Sequence, residues 1–140
     1  MTGRLDYLGE RDDLAAAHKL FGNAMIIGMT GILADVLTIA RGSDVEPQDA
    51  VKLLGMLDLN AVAAGRGGNM ARGDFTPTFE LAMARKDVGL MIETCGGRPL
   101  ATLQALAARM DHLIAAGHGG KDPAVLAIDA QPGSGPRSAA

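Results

Sequence analysis

The chain has 140 residues, a formal net charge of −3 and an apolar content of 48%. This length allows one domain with a hydrophobic core. The acidic balance argues against nucleic-acid binding, since the arginines are scattered and not interleaved with aromatic residues. Alanine, leucine and methionine carry the apolar content, and tryptophan is absent, which favours helix over strand. The single cysteine, Cys95, excludes an internal disulfide and fits a reducing compartment.

The first residues, 1–9, are polar and mixed in charge, with a weakly alternating pattern that could form one extended segment. They lack the pattern of a secretory signal, so we expect a cytoplasmic protein.

The stretch from Asp12 to Arg41 predicts one helix of about 30 residues, roughly 45 Å long at 1.5 Å per residue. No proline interrupts it, acidic residues begin it and Arg41 ends it, as the helix dipole favours. Gly42 then offers a C-terminal stop. We predict an all-α helical bundle organised around this helix.

A membrane span is the alternative for the same helix, because residues 20–34 are uncharged and rich in Ile, Leu and Met. A span needs about 20 predominantly apolar residues, whereas Asp35 follows this run and Asn23 and several glycines dilute it. We therefore predict that protein buries the helix and that no membrane is involved. The glycines would let another helix or a ligand approach closely.

Proline and capping residues divide the rest of the chain into further predicted helices. Residues 65–74 read as a glycine-rich loop, without the strand or the GxxxxGK[ST] pattern of a phosphate-binding loop. Residues 130–140 are rich in Pro, Gly, Ser and Ala and read as a disordered tail. The predicted helices are Pro47–Met56, a short one capped by Asp58 and reaching about Ala64, Thr78–Cys95 opened by Thr76-Pro77, Pro99–Ala116, and a last one from Asp122-Pro123 to about Ile128.

Three polar residues, Lys19, Asn23 and Lys86, are candidates for a site. Lys19 and Asn23 lie one turn apart on one helix face, with Thr30 further along the same stripe. Lys86 interrupts an apolar stripe formed by Phe79, Met83 and Leu90. Either lysine could instead be a solvated residue whose stem covers apolar surface. The histidines lack metal-ligand spacing and Cys95 lacks a catalytic signature, so no metal site is predicted.

Several segments, in this order and spacing, resemble the C-terminal helical domain of the β-hydroxyacid dehydrogenase family, the 3-hydroxyisobutyrate dehydrogenase-like enzymes related to 6-phosphogluconate dehydrogenase. The resemblance covers roughly residues 7–129. It is carried by Tyr7-Leu8-Gly9-Glu10, Ala15-Ala16-Ala17-His18-Lys19-Leu20-Phe21-Gly22-Asn23, Leu33-Ala34-Asp35-Val36-Leu37-Thr38-Ile39-Ala40, Ala84-Arg85-Lys86-Asp87-Val88-Gly89-Leu90 and Gly117-His118-Gly119-Gly120-Lys121-Asp122.

The resemblance implies a role for each candidate. Lys19 would be the catalytic acid/base, exchanging a proton with the oxygen of a small hydroxyacid while hydride moves to or from the nicotinamide of NAD or NADP. Asn23 would hydrogen-bond the substrate, and Lys86 would lie near the cofactor. The resemblance also implies a homodimer in which the long helix takes part.

The chain departs from the family pattern in four respects. Gly22 stands where the family often has a first of two asparagines, an acidic segment precedes Lys19 instead of a glycine-rich loop, and Asp35 stands where a glutamate is common. No GxGxxG follows a strand, so the cofactor-binding Rossmann domain is missing.

We therefore interpret residues 1–9 as the remnant of an interdomain segment and residues 10–129 as a helical substrate and dimerisation domain. The predicted function is the substrate-side half of an NAD(P)-dependent hydroxyacid dehydrogenase, inactive without a Rossmann domain supplied in cis or in trans. The alternative is a non-catalytic dimerisation or binding module that kept the fold without the chemistry.

Overall fold

The computed structural model describes residues 12–135, and within that range every regular element is a helix. The predicted all-α class is therefore confirmed, while residues 1–9 lie outside the described part. The α-helices are α1 (Asp12–Gly42), α2 (Pro47–Leu54), α3 (Leu59–Arg72), α4 (Leu81–Thr94) and α5 (Leu103–Leu113), followed by a π-helical turn (Ile114–His118) and a 3₁₀ helix (Pro123–Ala130).

Helix α1 has the predicted length, but only its C-terminal part packs against the rest of the chain. Asp35 and Ala40 are buried there, and a Cβ built on Gly31 would meet the side chain of Thr102. Residues 18–30 are all exposed, so the rest of the described chain does not bury this half of the helix. Nothing lies within 4 Å of a Cβ built on Gly22 or Gly28. These two glycines therefore serve no close approach within the chain.

The hydrophobic core lies between α4, α5 and the 3₁₀ helix. Its fully buried side chains include Leu81 of α4 and Val125 of the 3₁₀ helix. On α5, Leu103, Met110 and Leu113 are buried, and Leu106 and the following Ile114 pack against the same cluster. Outside the core, Arg85 of α4 donates two hydrogen bonds, of 2.7 and 3.0 Å, to Asp111 of α5.

Helix α3 is longer than predicted, because it continues through the glycines that we interpreted as a loop. Asp58 caps it as expected, accepting a hydrogen bond of 2.9 Å from the backbone N–H of Ala61. Glycine inside a helix costs about 1 kcal/mol relative to alanine but does not remove a backbone hydrogen bond. The helix ends only at Gly73, whose φ of 66° places it in the left-handed region.

Helices α4 and α5 both begin later than predicted, because buried carboxylates hold the residues before them in non-helical contacts. Asp122 accepts hydrogen bonds from the backbone N–H and the hydroxyl of Thr78, so α4 starts at Leu81 and not near Thr76 or Thr78. Asp35 likewise accepts a hydrogen bond from the backbone N–H of Leu103, and α5 starts at Leu103 and not at Pro99.

Gly42 is required by the contact between α1 and the end of α4. A Cβ on Gly42 would lie 1.9 Å from the carbonyl oxygen of Thr94, which is a clash with backbone. We expect Gly42→Ala to lower the free energy of unfolding by about 1–3 kcal/mol, the usual cost of overpacking. Gly65→Ala is the matched control, because nothing lies within 4 Å of its Cβ position inside α3. That change should stabilise the chain by up to about 1 kcal/mol in urea unfolding.

Candidate functional site

Lys19 and Asn23 lie on an exposed face of α1 that points away from the rest of the chain. Together with Thr30, they are rotated about 120–160° around the helix from Asp35, the residue by which α1 is anchored. Neither the side-chain ammonium of Lys19 nor the carboxamide of Asn23 has a hydrogen-bond partner within residues 12–135. The Thr30 hydroxyl donates to the carbonyl of Ile26 at 2.8 Å. The lysine and the asparagine are therefore the side chains of this stripe available to a ligand.

Lys86 lies on the outer face of α4. It is rotated about 140–180° from Leu81, Val88 and Cys95, the buried residues of the helix. The apolar neighbours that we predicted beside it, Met83 and Leu90, are 50% and 54% exposed. The stripe around Lys86 is thus an uncovered apolar surface and not a part of the core.

Within a single chain, Lys86 does not lie beside Lys19. Gly42 of α1 touches Thr94 of α4. At 1.5 Å per residue, Lys19 is about 34 Å from Gly42 and Lys86 about 12 Å from Thr94, so their Cα atoms are at least about 16 Å apart. Within a single chain, the two lysines therefore lie on separate parts of the surface.

Two apolar grooves run beside α1, and neither contains the candidate residues. The larger, of about 350 Å³, separates α1 from α2 and the start of α3. A smaller groove of about 240 Å³ continues from it towards Ser43 and Val45. The larger groove is lined by Ala24, Met25, Gly28, Met29, Ile32, Leu33, Val36, Leu54 and Leu59.

These grooves do not suit a dinucleotide. A dinucleotide needs backbone N–H groups or cations for its phosphates, usually at a glycine-rich turn between a strand and a helix. The larger groove offers only apolar side chains, and residues 12–135 contain no strand. The larger groove therefore lacks the N–H groups and cations that hold the phosphates of a dinucleotide.

The buried carboxylate of Asp35 is the polar centre that the sequence analysis did not identify. It accepts hydrogen bonds from the backbone N–H groups of Ala101, Thr102 and Leu103 at 2.6, 2.9 and 2.9 Å. The Thr102 hydroxyl adds a fourth at 2.7 Å. Burial raises the pKa of Asp35, but these hydrogen bonds together hold the pKa below its usual value. Asp35 thus caps α5 with a carboxylate supplied by α1.

Asp122 is a second buried carboxylate that holds two segments together by accepting hydrogen bonds. It joins the segment before α4 to the 3₁₀ helix, accepting from Thr78 and from the backbone N–H of Ala124 at 3.0 Å. Burial raises the pKa of Asp122, and its hydrogen bonds, with the charge of Arg66, lower that pKa below the usual value. Both carboxylates are fully used in anchoring helices, so neither is free for catalysis.

No protein-family model matches the chain, and a search of curated proteins finds no match. The resemblance described above therefore rests on the quoted segments alone. Among residues 12–135, no group of three or more His, Cys, Asp or Glu side chains is arranged to hold a metal ion. Helix α1 is long and apolar enough to cross a membrane by length and composition, a test that signal sequences and the mostly buried core helices of soluble proteins also pass.

Proposed function

We propose that this chain is the substrate-side domain of an NAD(P)-dependent hydroxyacid dehydrogenase, to be completed by a separate Rossmann domain. Lys19 exchanges a proton with the hydroxyl oxygen of a small hydroxyacid, and Asn23 hydrogen-bonds the same substrate. Lys86 contacts the cofactor, and NAD or NADP is bound mainly by the other domain. The proposed enzyme is cytoplasmic and homodimeric.

The observation that carries this proposal is the placement of Lys19 and Asn23. An ammonium and a carboxamide lie one turn apart on a mostly apolar helix, on the face turned away from the bundle. Neither side chain supports the fold of residues 12–135. A positioned lysine can donate a proton to a substrate oxygen or accept one from it, as a general acid/base does.

A second candidate function is a dimerisation or binding module without catalysis. The apolar character of the larger groove and of the exposed part of α1 favours it, since these surfaces can bind protein without any polar site. In this alternative, Lys19 is a solvated lysine at the edge of an interface.

The proposal predicts that the pure 140-residue chain does not oxidise hydroxyacids with NAD or NADP. Activity should appear only when a cognate Rossmann domain is fused or coexpressed. The assay is nicotinamide absorbance with a panel of 2- and 3-hydroxyacids. Turnover by the chain alone would contradict the missing-domain interpretation. A reunited complex with no activity on any hydroxyacid would favour the binding module.

A further inference from the structure

The two apolar grooves beside α1 join end to end, because Val36 and Leu54 line both of them. We call the joined feature the α1 groove. Its lining residues on α1 recur at intervals of three and four residues from Met25 to Ala40, so they follow one face of the helix. This face is rotated about 140° from the stripe of Lys19 and Asn23. The groove is therefore separate from the candidate site.

The α1 groove is long and narrow. From Met25 to Ala40 it runs for about 23 Å at 1.5 Å per residue. Dividing the two volumes, about 350 and 240 Å³, by this length gives a mean cross-section of about 25 Å². An α-helix with its side chains is 10–12 Å wide, a cross-section of about 80 Å² or more. A helix of another protein is therefore too wide for the groove, which suits a single narrow chain.

The chemistry of the lining favours a hydrocarbon chain over an extended peptide. A peptide carries an N–H and a C=O group at nearly every residue, and these need hydrogen-bond partners when they are buried. Among the described residues that line the groove, none is charged and Ser43 alone has a polar side chain. Met25 and Met29 are unbranched and flexible, so they can adapt to an apolar ligand. A hydrocarbon chain leaves no polar group unsatisfied there.

We propose that the α1 groove binds the hydrocarbon chain of a long-chain fatty acid, whose carboxylate group stays in solvent. The volume of the groove falls in the range of 300–1,000 Å³ that is typical of ligand sites, and such sites are mostly apolar. Binding would cover Met25 and Met29, which are 61% and 41% exposed, and so remove apolar surface from water. This site does not depend on the proposed function, since it uses neither Lys19 nor Asn23.

Titration calorimetry tests the chemical class of the ligand. The full 140-residue chain is titrated with saturated fatty acids from decanoate to tetradecanoate, each below its micelle concentration. The Kd should fall about fourfold for each added methylene, the effect of burying one more CH₂ group. The alcohol of the same length should bind about as well as the acid, because no charged side chain lines the groove. No binding of tetradecanoate, or a Kd that does not change with chain length, would overturn the proposal.

A pair of glycine variants tests the location of the site. Gly28 lines the larger groove and nothing lies within 4 Å of its Cβ position, so Gly28→Leu projects into the space of the ligand. It should raise the Kd of tetradecanoate at least about tenfold, the effect of displacing two methylenes. Gly22→Leu is the matched control, an equally open glycine of α1 outside the groove lining, and should bind like the native chain. Leucine favours helix over glycine, so both variants should fold, which circular dichroism checks. Equal effects of the two changes would overturn the assignment to the groove.

Two other occupants of the α1 groove are distinguished by the same variants. A fatty-acid-free chain whose dimer is dissociated by Gly28→Leu but not by Gly22→Leu, and which binds no fatty acid, would assign the groove to a second copy. A chain that floats with phosphatidylcholine vesicles but does not bind monomeric fatty acids would assign it to a bilayer. Both outcomes overturn the proposal. Neither bears on Lys19, so the proposed function is tested separately by turnover in the reunited enzyme.

Discussion

Lys19→Ala should lower kcat by about 10²–10⁴-fold in the enzyme reunited with a Rossmann domain, the usual effect of losing a general acid/base. Without the ammonium group, the substrate oxygen has no proton donor or acceptor at that position. Steady-state kinetics with the best hydroxyacid substrate measures the change. The loss should appear in kcat and in kcat/KM together, because the proton transfer belongs to the transition state.

Lys19→Arg distinguishes a role of Lys19 in proton transfer from a role of its positive charge alone. A guanidinium keeps the positive charge but does not release its proton near neutrality, so arginine should not restore the rate. Lys52→Ala is the matched control, because Lys52 is an exposed lysine on α2 whose ammonium group pairs with Asp49. It should leave kcat unchanged. A Lys19→Ala enzyme with the native kcat would show that the family role does not transfer to this chain.

The neighbouring candidates should give different kinetic signatures. Asn23→Ala should mainly raise KM, since the carboxamide positions the substrate and does not transfer a proton. Lys86→Ala should lower rate or affinity, because the proposed function brings its ammonium group into contact with the cofactor.

The sequence predicted the helices well where local signals decide their form. The absence of proline, the acidic start and the arginine at the end were sufficient for α1. Asp58 and Asp122 were recognisable caps, and both accept the expected backbone hydrogen bonds. Such signals act within a few residues, so they are legible in one chain without knowledge of its packing.

The start of α5 was predicted wrongly because it depends on a contact between residues that are distant in the chain. The sequence of the segment before α5 does not indicate that the backbone N–H groups of this segment donate to Asp35. This aspartate lies 66 residues or more away along the chain. The one available signal was an aspartate at the end of a long apolar run, since a buried carboxylate must be hydrogen-bonded.

The candidate site was less predictable than the fold, because apolar periodicity does not say which partner covers a face. Met83 and Leu90 have the spacing of a core stripe, yet the core of α4 uses the opposite face, with Leu81 and Val88. Both faces are apolar, so the sequence alone could not rank them. An uncovered face beside Lys86 became visible only when the packing of α4 against α5 was known.

Asp35→Ala should lower the free energy of unfolding by at least about 3 kcal/mol, because hydrogen bonds to a charged group are worth about 1.5–3 kcal/mol each and unsatisfied buried donors carry a further cost. Three backbone N–H groups and the Thr102 hydroxyl would lose their acceptor. The first turn of α5 would also lose its cap and its contact with α1. Urea unfolding at pH 7 measures the change. Asp87→Ala, at an exposed position on α4, is the control and should stay within about 0.5 kcal/mol.

The same carboxylate should make stability depend on acid pH. Because folding lowers the pKa of Asp35 below its unfolded value of about 3.9, its contribution is fully present above that pH and is lost as pH falls through the folded pKa. Asp35→Asn cannot ionise and turns an N–H group towards the donors of α5. It should be less stable than the native chain at pH 7, and the difference should narrow below about pH 4. Asp122 titrates in the same direction in both chains, so the comparison cancels its effect. A stability difference that stays constant from pH 7 to pH 2 would contradict an ionised Asp35 as the anchor of α5.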